Sequence, residues 1–219
     1  MILECGPDHD RKTVEVIVEE NVTVALTMSG GLDTALLVYM VCKELLDTGR
    51  RPEDYIKWIF TIPKRDGAEL YPDAIIEWIN NKLNIELPSK TIIRKPNLHS
   101  TFHGSQVWQS LLVALEKFNP DKLYMGDQRA APDDANIPIF RPNRSKTLEG
   151  PMPGRALFPF NHLFKYHCID LFYKLGIEEL IPLTHSCTQQ PVGRCNQCYH
   201  CLERSWGFTT INRIDIGVS

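Results

Sequence analysis

The chain has 219 residues, a length that suits one large domain or one domain with an appendage. Hydrophobic residues make up 43% and charged residues 23%, which is enough for a sizeable core and argues against wholesale disorder. A formal net charge of -3 gives no sign of a general binder of nucleic acid or anionic membranes. The N-terminus lacks a signal peptide and no apolar run is long enough to cross a bilayer, so we expect a soluble, cytoplasmic protein without membrane partners.

Strand and helix patterns alternate along the chain. Short β-branched runs predict strands at 13–18, 21–27, 55–62, 91–93 and 122–125. Apolar residues at helical spacing predict helices at 36–45, 72–83, 106–118 and 161–175. Gly49 and Pro52 are expected to close the first helix, and Gly176 the last. This order predicts an α/β fold, with a parallel sheet and helices on both of its faces.

A glycine loop joins the strand at 21–27 to the helix that follows. It consists of Ser29, Gly30, Gly31, Leu32, Asp33 and Thr34. The two glycines allow positive φ angles, so that consecutive N–H groups can point into one anion-binding concavity. The helix N-terminus adds further N–H groups, and the hydroxyls of Ser29 and Thr34 can donate as well. Asp33 is expected to cap the helix or to lie near a phosphate-bound Mg²⁺. The loop is therefore a candidate phosphate site, although it lacks the lysine of a Walker motif.

Residues 127–160 break the alternation with a long connection that is rich in proline and basic residues. Its cations include Arg129, Arg141, Arg144, Lys146 and Arg155. A loop of this length is usually a lid, a binding loop or disordered. Two interpretations stay open: a mobile solvated loop, and a basic flap that closes over phosphates.

Four of the seven cysteines lie close together near the C-terminus, at Cys187, Cys195, Cys198 and Cys201. The spacing Cys-x7-Cys-x2-Cys-x2-Cys suits four thiolate ligands around a tetrahedral, structural Zn²⁺. An iron–sulfur cluster stays open as an alternative, because ferredoxins use similar Cys-x2-Cys runs. The segment has few apolar residues, so a bound metal would supply its order.

The loop Ser29-Gly30-Gly31-Leu32-Asp33-Thr34 resembles the Ser-Gly-Gly-x-Asp-[Ser/Thr] signature of the PP-loop ATP pyrophosphatases. Within that group, the stretch from Thr184 to Cys187 and the run from Cys195 to Arg204 resemble the zinc segment of 7-cyano-7-deazaguanine synthase. The resemblance implies an adenine nucleotide α-hydrolase-like fold, with a nucleotide-binding domain at 1–183 and a zinc-binding segment at 184–219 packed on it.

The resemblance also implies an activity. An enzyme of this family uses ATP, Mg²⁺ and ammonia to convert 7-carboxy-7-deazaguanine to the nitrile, through an acyl-adenylate and an amide. Lys165 would reach the ATP phosphates and Asp127 would lie near the substrate. The family is commonly dimeric, so a homodimer is also expected.

The middle of the chain departs from the family pattern. The family usually has Tyr-Gly-Gln-Arg-His after its second strand, where this chain has Ile62-Pro63-Lys64-Arg65-Asp66-Gly67. Because these positions shape the substrate side of the pocket, two alternatives stay open. One is a PP-loop enzyme that adenylates a different purine-like or nucleic-acid substrate. The other is a non-catalytic zinc-knuckle protein with a vestigial nucleotide fold, for which the acidic balance does not favour nucleic acid.

Overall fold

The computed structural model describes residues 1–64, 66–94, 103–137 and 154–217, of which 103–108 and 134 are described by their backbone alone. Seven strands run through this part of the chain: β1 Ile2–Cys5, β2 Lys12–Glu15, β3 Val24–Thr27, β4 Ile56–Thr61, β5 Lys90–Ile92, β6 Lys122–Tyr124 and β7 Ala156–Leu157. Strands β3 to β7 form one sheet in the order β5-β4-β3-β6-β7, and every neighbouring pair in it is parallel.

The helices lie on both faces of this sheet. They are α1 Leu32–Asp47, α2 Pro52–Tyr55, α3 Pro72–Leu83, α4 His103–Phe118, α5 Lys165–Lys174 and α6 Tyr199–Thr210, with 3-10 turns at Ala68–Leu70, Asp133–Ala135 and Glu178–Leu183. Successive residues of β3 serve different faces: Val24 and Leu26 join the core under α1, α3 and α5, whereas Ala25 joins the core under α4. This alternation is the consequence of the two-residue period of a strand.

Helix α1 is apolar on nearly all sides because it is enclosed. Every residue from Ala35 to Cys42 is buried, and the helix packs between the sheet, α3 and α5. A helix that is hydrophobic all round is one that lies inside a protein rather than on its surface. The first turn of α1, which lies at the carboxyl end of the central strand β3, therefore belongs to a helix that is packed along its length.

The α/β fold with a parallel sheet and helices on both faces is confirmed. Four strand predictions match in place, at β3, β4, β5 and β6. The helix predicted at 161–175 begins later, at Lys165, because Phe164 has an extended backbone and acts as its N-cap. Helix α6 and strands β1 and β7 were not predicted. The middle of the basic loop, residues 138–153 with Arg141, Arg144 and Lys146, lies outside the described residues.

Within the described ranges no helix is long and apolar enough to cross a membrane.

The antiparallel hairpin of β1 and β2 packs on α5 through a buried histidine. His167 is fully buried, and its Nδ1 accepts a hydrogen bond from the N–H of Phe164 at 3.0 Å. Its Nε2–H therefore donates to the carbonyl of Asp10 at 2.8 Å. Burial lowers the pKa of His167, partly opposed by its contacts with Asp10. The imidazole is thus held in its neutral form between the hairpin and the helix.

We expect acid to weaken the protein through His167. A histidine whose pKa is lowered by folding stabilises the folded state fully above its ordinary value of 6.5. That contribution is lost as the pH falls below 6.5, because the unfolded chain then binds the proton more readily. Urea unfolding at pH 7, 6 and 5 should show a steeper loss of stability in the natural protein than in a His167→Gln variant. Parallel curves for the two proteins would contradict this assignment.

Candidate functional site

Strands β3 and β6 are parallel neighbours, and their carboxyl ends lie side by side at the topological switch point of the sheet. From β3 the chain moves to β4 and β5 on one side, and later returns through β6 and β7 on the other side. In open α/β sheets, ligands bind in the crevice at such a switch point, outside the carboxyl ends of the strands. The glycine loop follows β3 here, and the Gly126-Asp127-Gln128 segment follows β6. The two segments define the candidate site.

The glycine loop makes a sharp turn at the start of α1. Gly30 has a φ of 75°, in the left-handed region that favours glycine. The Ser29 N–H donates to Oγ1 of Thr34 at 3.2 Å, and that hydroxyl donates to the carbonyl of Gly31 at 3.2 Å. These contacts fix the turn, while the first N–H groups of α1 lack carbonyl partners within the helix. The loop thus presents backbone donors and the positive end of a buried helix.

Asp33 does not cap α1, so that expectation was wrong. The N-cap is Gly31, which has no side chain, and Asp33 lies in the first turn of the helix. Its Oδ2 accepts a hydrogen bond from Nζ of Lys165. Its Oδ1 is buried without a hydrogen-bond partner in the described part of the chain. A carboxylate oxygen of this kind is the ligand that Mg²⁺ prefers.

Lys165 reaches the glycine loop from the other end of the chain. It opens α5, and only 5% of the residue is exposed although it carries a charge. Gly207 of α6 makes room for its stem, since a Cβ on this glycine would lie 2.8 Å from Cγ of Lys165. A buried lysine is costly unless it is paired, and this one is paired with Asp33 beside the glycine loop. Lys165 was predicted from the resemblance to reach ATP phosphates, and in the structure its ammonium lies at the candidate site, beside Asp33.

Asp127 is half-buried in the segment that follows the carboxyl end of β6. Its neighbour Gly126 touches the first turn of α1. A Cβ on Gly126 would lie 2.9 Å from backbone atoms of both Asp33 and Thr34. Only glycine lets the two segments come this close, so β6 directly sets the position of the glycine loop.

The four clustered cysteines come together as the spacing predicts. The Sγ atoms of Cys187, Cys195, Cys198 and Cys201 all lie within 4.8 Å of one another. Three of the four cysteines are buried, and Cys195 is half-buried. Burial would raise the pKa of the Cys198 thiol, yet hydrogen bonds from Thr188 and Cys201 lower it to about 6. This donor set fits a metal bound by four thiolates.

The cysteine segment is packed directly on the glycine loop through His185. Its N–H donates to the carbonyl of Gly30 at 2.8 Å. Its ring stacks on Tyr71 with centroids 4.5 Å apart, and the Tyr71 hydroxyl donates to the carbonyl of Pro191 at 2.7 Å. Burial lowers the pKa of His185, which keeps the ring neutral in this stack. The chain between Thr184 and Pro191 thus forms one wall of the glycine loop.

A scan against protein-family models finds no match, and a search of curated proteins finds none either. Three solved structures are distantly similar. The U34-tRNA thiolase NcsA from Methanococcus maripaludis with its [4Fe-4S] cluster has 13% identity and a TM-score of 0.48, over 89% of this chain and 66% of that one. The NH3-dependent NAD synthetase from Campylobacter jejuni subsp. jejuni NCTC 11168, in complex with the nitrate ion, has 17% identity and a TM-score of 0.42, over 74% and 67%. The NMN synthetase from Francisella tularensis has 14% identity and a TM-score of 0.48, over 88% and 78%.

This chain therefore spans about two thirds of the length of the thiolase and of the NAD synthetase. Likeness at this level says nothing about the activity or the substrate of this chain.

Two polar residues of the site had no signal in the sequence. Glu203 of α6 is fully buried, and its Oε2 accepts a hydrogen bond from Nε2 of Gln128 at 3.0 Å. The same Oε2 lies 3.9 Å from Nζ of Lys165. Both residues sit in segments without apolar periodicity, and their burial depends on contacts between the two ends of the chain. A carboxylate two positions after a predicted metal ligand carries no pattern of its own.

We expect a Gly126→Ala substitution to weaken binding of a nucleotide at the glycine loop by about tenfold or more, because the added methyl must push the first turn of α1 away. Titration calorimetry with Mg-ATP measures this loss. Gly49→Ala, just past the far end of α1, is the control: a Cβ there meets nothing within 4 Å, but the φ of 74° makes the substitution mildly destabilising at a place remote from the loop. Equal losses of affinity in the two variants would show that general destabilisation, rather than the loop, is responsible.

Proposed function

We propose that this protein is an ATP-dependent enzyme of the PP-loop type that resembles 7-cyano-7-deazaguanine synthase. One observation carries the proposal: a glycine loop, a helix N-terminus and a buried lysine converge at the switch point of a parallel sheet. The glycine loop lacks a Walker lysine within its own sequence, and Lys165 supplies a cation from a distant part of the chain instead. The cysteine cluster that adjoins the loop supports the same family.

The proposed chemistry needs no nucleophilic side chain. A carboxylate oxygen of the substrate attacks the α-phosphorus of ATP, the bond to the bridging oxygen breaks, and pyrophosphate leaves. Ammonia then attacks the acyl carbon of the adenylate, AMP leaves, and a proton is lost to give the amide. The amide oxygen then attacks the α-phosphorus of a second ATP and pyrophosphate leaves. Loss of AMP, which carries away that oxygen, and of two protons gives the nitrile.

The residues of the site fit roles in binding and charge stabilisation. The loop N–H groups bind phosphate oxygens, and the ammonium of Lys165 offsets the charge that develops on the departing pyrophosphate. Asp33 would hold Mg²⁺ through its unpartnered Oδ1, and the ion would neutralise further phosphate charge. Asp127 is assigned to the substrate side of the crevice. The four thiolates would hold a structural Zn²⁺ away from the chemistry.

The decisive experiment is an incubation of metal-replete protein with Mg-ATP, ammonium and 7-carboxy-7-deazaguanine. We expect pyrophosphate, AMP and the nitrile to form together, with two ATP consumed for each nitrile. Lys165→Met should abolish product formation, whereas Lys174→Met at the other end of α5 should not, because Lys174 is exposed. Metal analysis with a visible spectrum distinguishes zinc from an iron–sulfur cluster.

The departures at 62–67 favour one alternative, in which the chain adenylates another purine-like or nucleic-acid substrate. Binding of Mg-ATP without nitrile would support that alternative, and a screen of carboxylate and nucleic-acid substrates for pyrophosphate release would follow. Absence of Mg-ATP binding in the metal-replete protein would leave the third hypothesis, a zinc-knuckle protein that is not an enzyme.

A further inference from the structure

Glu203 is a fully buried carboxylate beside the lysine of the candidate site. Its Oε1 accepts a hydrogen bond from the Tyr199 hydroxyl at 2.9 Å, and its Oε2 accepts one from Gln128 at 3.0 Å. Lys165 Nζ lies 3.9 Å from Oε2, and His200 Nδ1 lies at the same distance. The ammonium of Lys165 therefore stands between two carboxylates, those of Asp33 and Glu203.

Hydrogen bonding alone does not explain a charged residue at this position. The hydrogen bonds to Glu203 from Tyr199, from Gln128 and from the N–H of Ala131 all come from neutral donors, so they do not by themselves require a negative charge. The Oε1 of Gln128 is buried without a hydrogen-bond partner in the described part of the chain. With glutamine at position 203, the amide of Gln128 could turn over and accept a hydrogen bond from it. A neutral residue would thus keep these hydrogen bonds, still with one buried atom of Gln128 unpartnered, whereas a buried charge costs several kcal/mol unless it is compensated.

The negative charge of Glu203 compensates the positive charge of Lys165. An ammonium group has three N–H donors, and one of them is engaged by Asp33 in this structure. If Asp33 were the sole counter-charge, phosphate could recruit the lysine only by breaking that pair in a buried place. A second carboxylate, 3.9 Å from Nζ, keeps the ammonium compensated while it turns toward a phosphate.

We propose that Glu203 is a positioning residue, which holds the ammonium of Lys165 ready for the phosphates of the nucleotide. The proposal rests on the proposed ATP site. Glu203 acts through Lys165 rather than by contact with the nucleotide, since it is fully buried. Helix α6 contacts this lysine at two places. Gly207 packs against the aliphatic part of Lys165, and the carboxylate of Glu203 lies near its ammonium.

A double-mutant cycle with Glu203→Gln and Lys165→Met tests this proposal. The first readout is the dissociation constant of Mg-ATP, measured by calorimetry on the metal-replete proteins. We expect Glu203→Gln to weaken binding by about fivefold or more in the natural background, and by less than about twofold when Lys165 is already methionine. The second readout is the thermal midpoint without nucleotide. Glu203→Gln should leave it unchanged or raised, and should raise the midpoint of the Lys165→Met protein, in which Glu203 has lost its ammonium.

Glu203→Asp provides a second variant with the charge retained but drawn back by one methylene. It should weaken Mg-ATP binding in the natural background and have no effect beside Lys165→Met. Equal losses in both backgrounds, or affinity unchanged or tightened by Glu203→Gln, would overturn the positioning role while leaving the proposed ATP site intact. Failure of the natural protein to bind Mg-ATP would instead overturn the proposed function itself.

Discussion

Replacing Arg204 with methionine should lower the free energy of unfolding by about 3 kcal/mol or more, because the change removes a buried cation from its partners. Arg204 has no exposed surface, and its guanidinium donates to both oxygens of Asp215, at 2.8 and 3.0 Å. A further N–H group donates to Oγ1 of Thr184 at 2.9 Å. Methionine fills much of the same volume but provides none of these donors. Urea unfolding of the two metal-replete proteins measures the difference.

The pair of Arg204 and Asp215 joins three parts of the C-terminal region. Helix α6 carries the arginine, the final segment carries the aspartate, and Thr184 leads into the wall of the glycine loop. Burial would raise the pKa of Asp215, but Arg204 and Arg194 hold it below its ordinary value. The carboxylate therefore stays charged at neutral pH, and the loss of Arg204 leaves it with only one of its two cations.

Arg213→Met is the matched control for this prediction. Arg213 also lies in the C-terminal region, but it is exposed, and its guanidinium stacks on the ring of Tyr173. Its removal should cost less than about 1 kcal/mol. Comparable losses in the two variants would mean that the buried arginine contributes no more than a surface charge. We also expect Arg204→Met to weaken Mg-ATP binding, since it frees the segment that holds Gly30.

The sheet could be predicted from the sequence because its signals are local. Strand β3, the glycine loop and α1 follow one another without interruption, and each has the residue pattern of its own element. Alternation of strands and helices then restricts the topology to a parallel sheet. The switch point, and with it the position of the site, follows from this topology.

Helix α6 could not be predicted in the same way. Its buried residues mix polar and apolar side chains, so that no continuous apolar stripe marks it; they are Tyr199, Cys201, Glu203, Arg204, Gly207 and Phe208. Periodicity detects helices that bury hydrophobic residues, whereas this helix buries polar groups that are paired with distant parts of the chain. Glu203 and Gln128 were missed for the same reason. Strand β7 has only two residues and depends on its pairing with β6.

The candidate site was predictable where spacing or resemblance carries the information. The four cysteines follow from ligand spacing, and the structure brings them within 4.8 Å. Lys165 was indicated only by the family resemblance, because a lone lysine on an amphipathic helix is usually on the surface. The capping role of Asp33 was wrong, since Gly31 takes the N-cap and leaves the carboxylate to Lys165. Charge pairs between distant segments are decided by tertiary structure alone.

Removal of the metal should weaken Mg-ATP binding by about tenfold or more, although none of the cysteines belongs to the glycine loop. The loop is supported by His185, two residues before the first ligand, Cys187. The hydrophobic cluster around the cysteines consists of the cysteines themselves, so without metal the segment has little to order it. Loss of that order would release the hydrogen bond from His185 to Gly30 and the stack on Tyr71.

The measurement compares the protein before and after chelation, with the chelator removed by dialysis before Mg-ATP is added. Calorimetry gives the affinity, and hydrogen exchange should show faster exchange at residues 184–201 and in the glycine loop, but not in β4. Cys198→Ser should reproduce both effects, whereas Cys42→Ser, at a buried cysteine outside the cluster, should keep the metal and the affinity. Return of Zn²⁺ should restore binding. If the metal-free protein bound Mg-ATP as tightly as before, the wall formed by Thr184 to Pro191 would be independent of the metal, and the cluster would stabilise only its own segment.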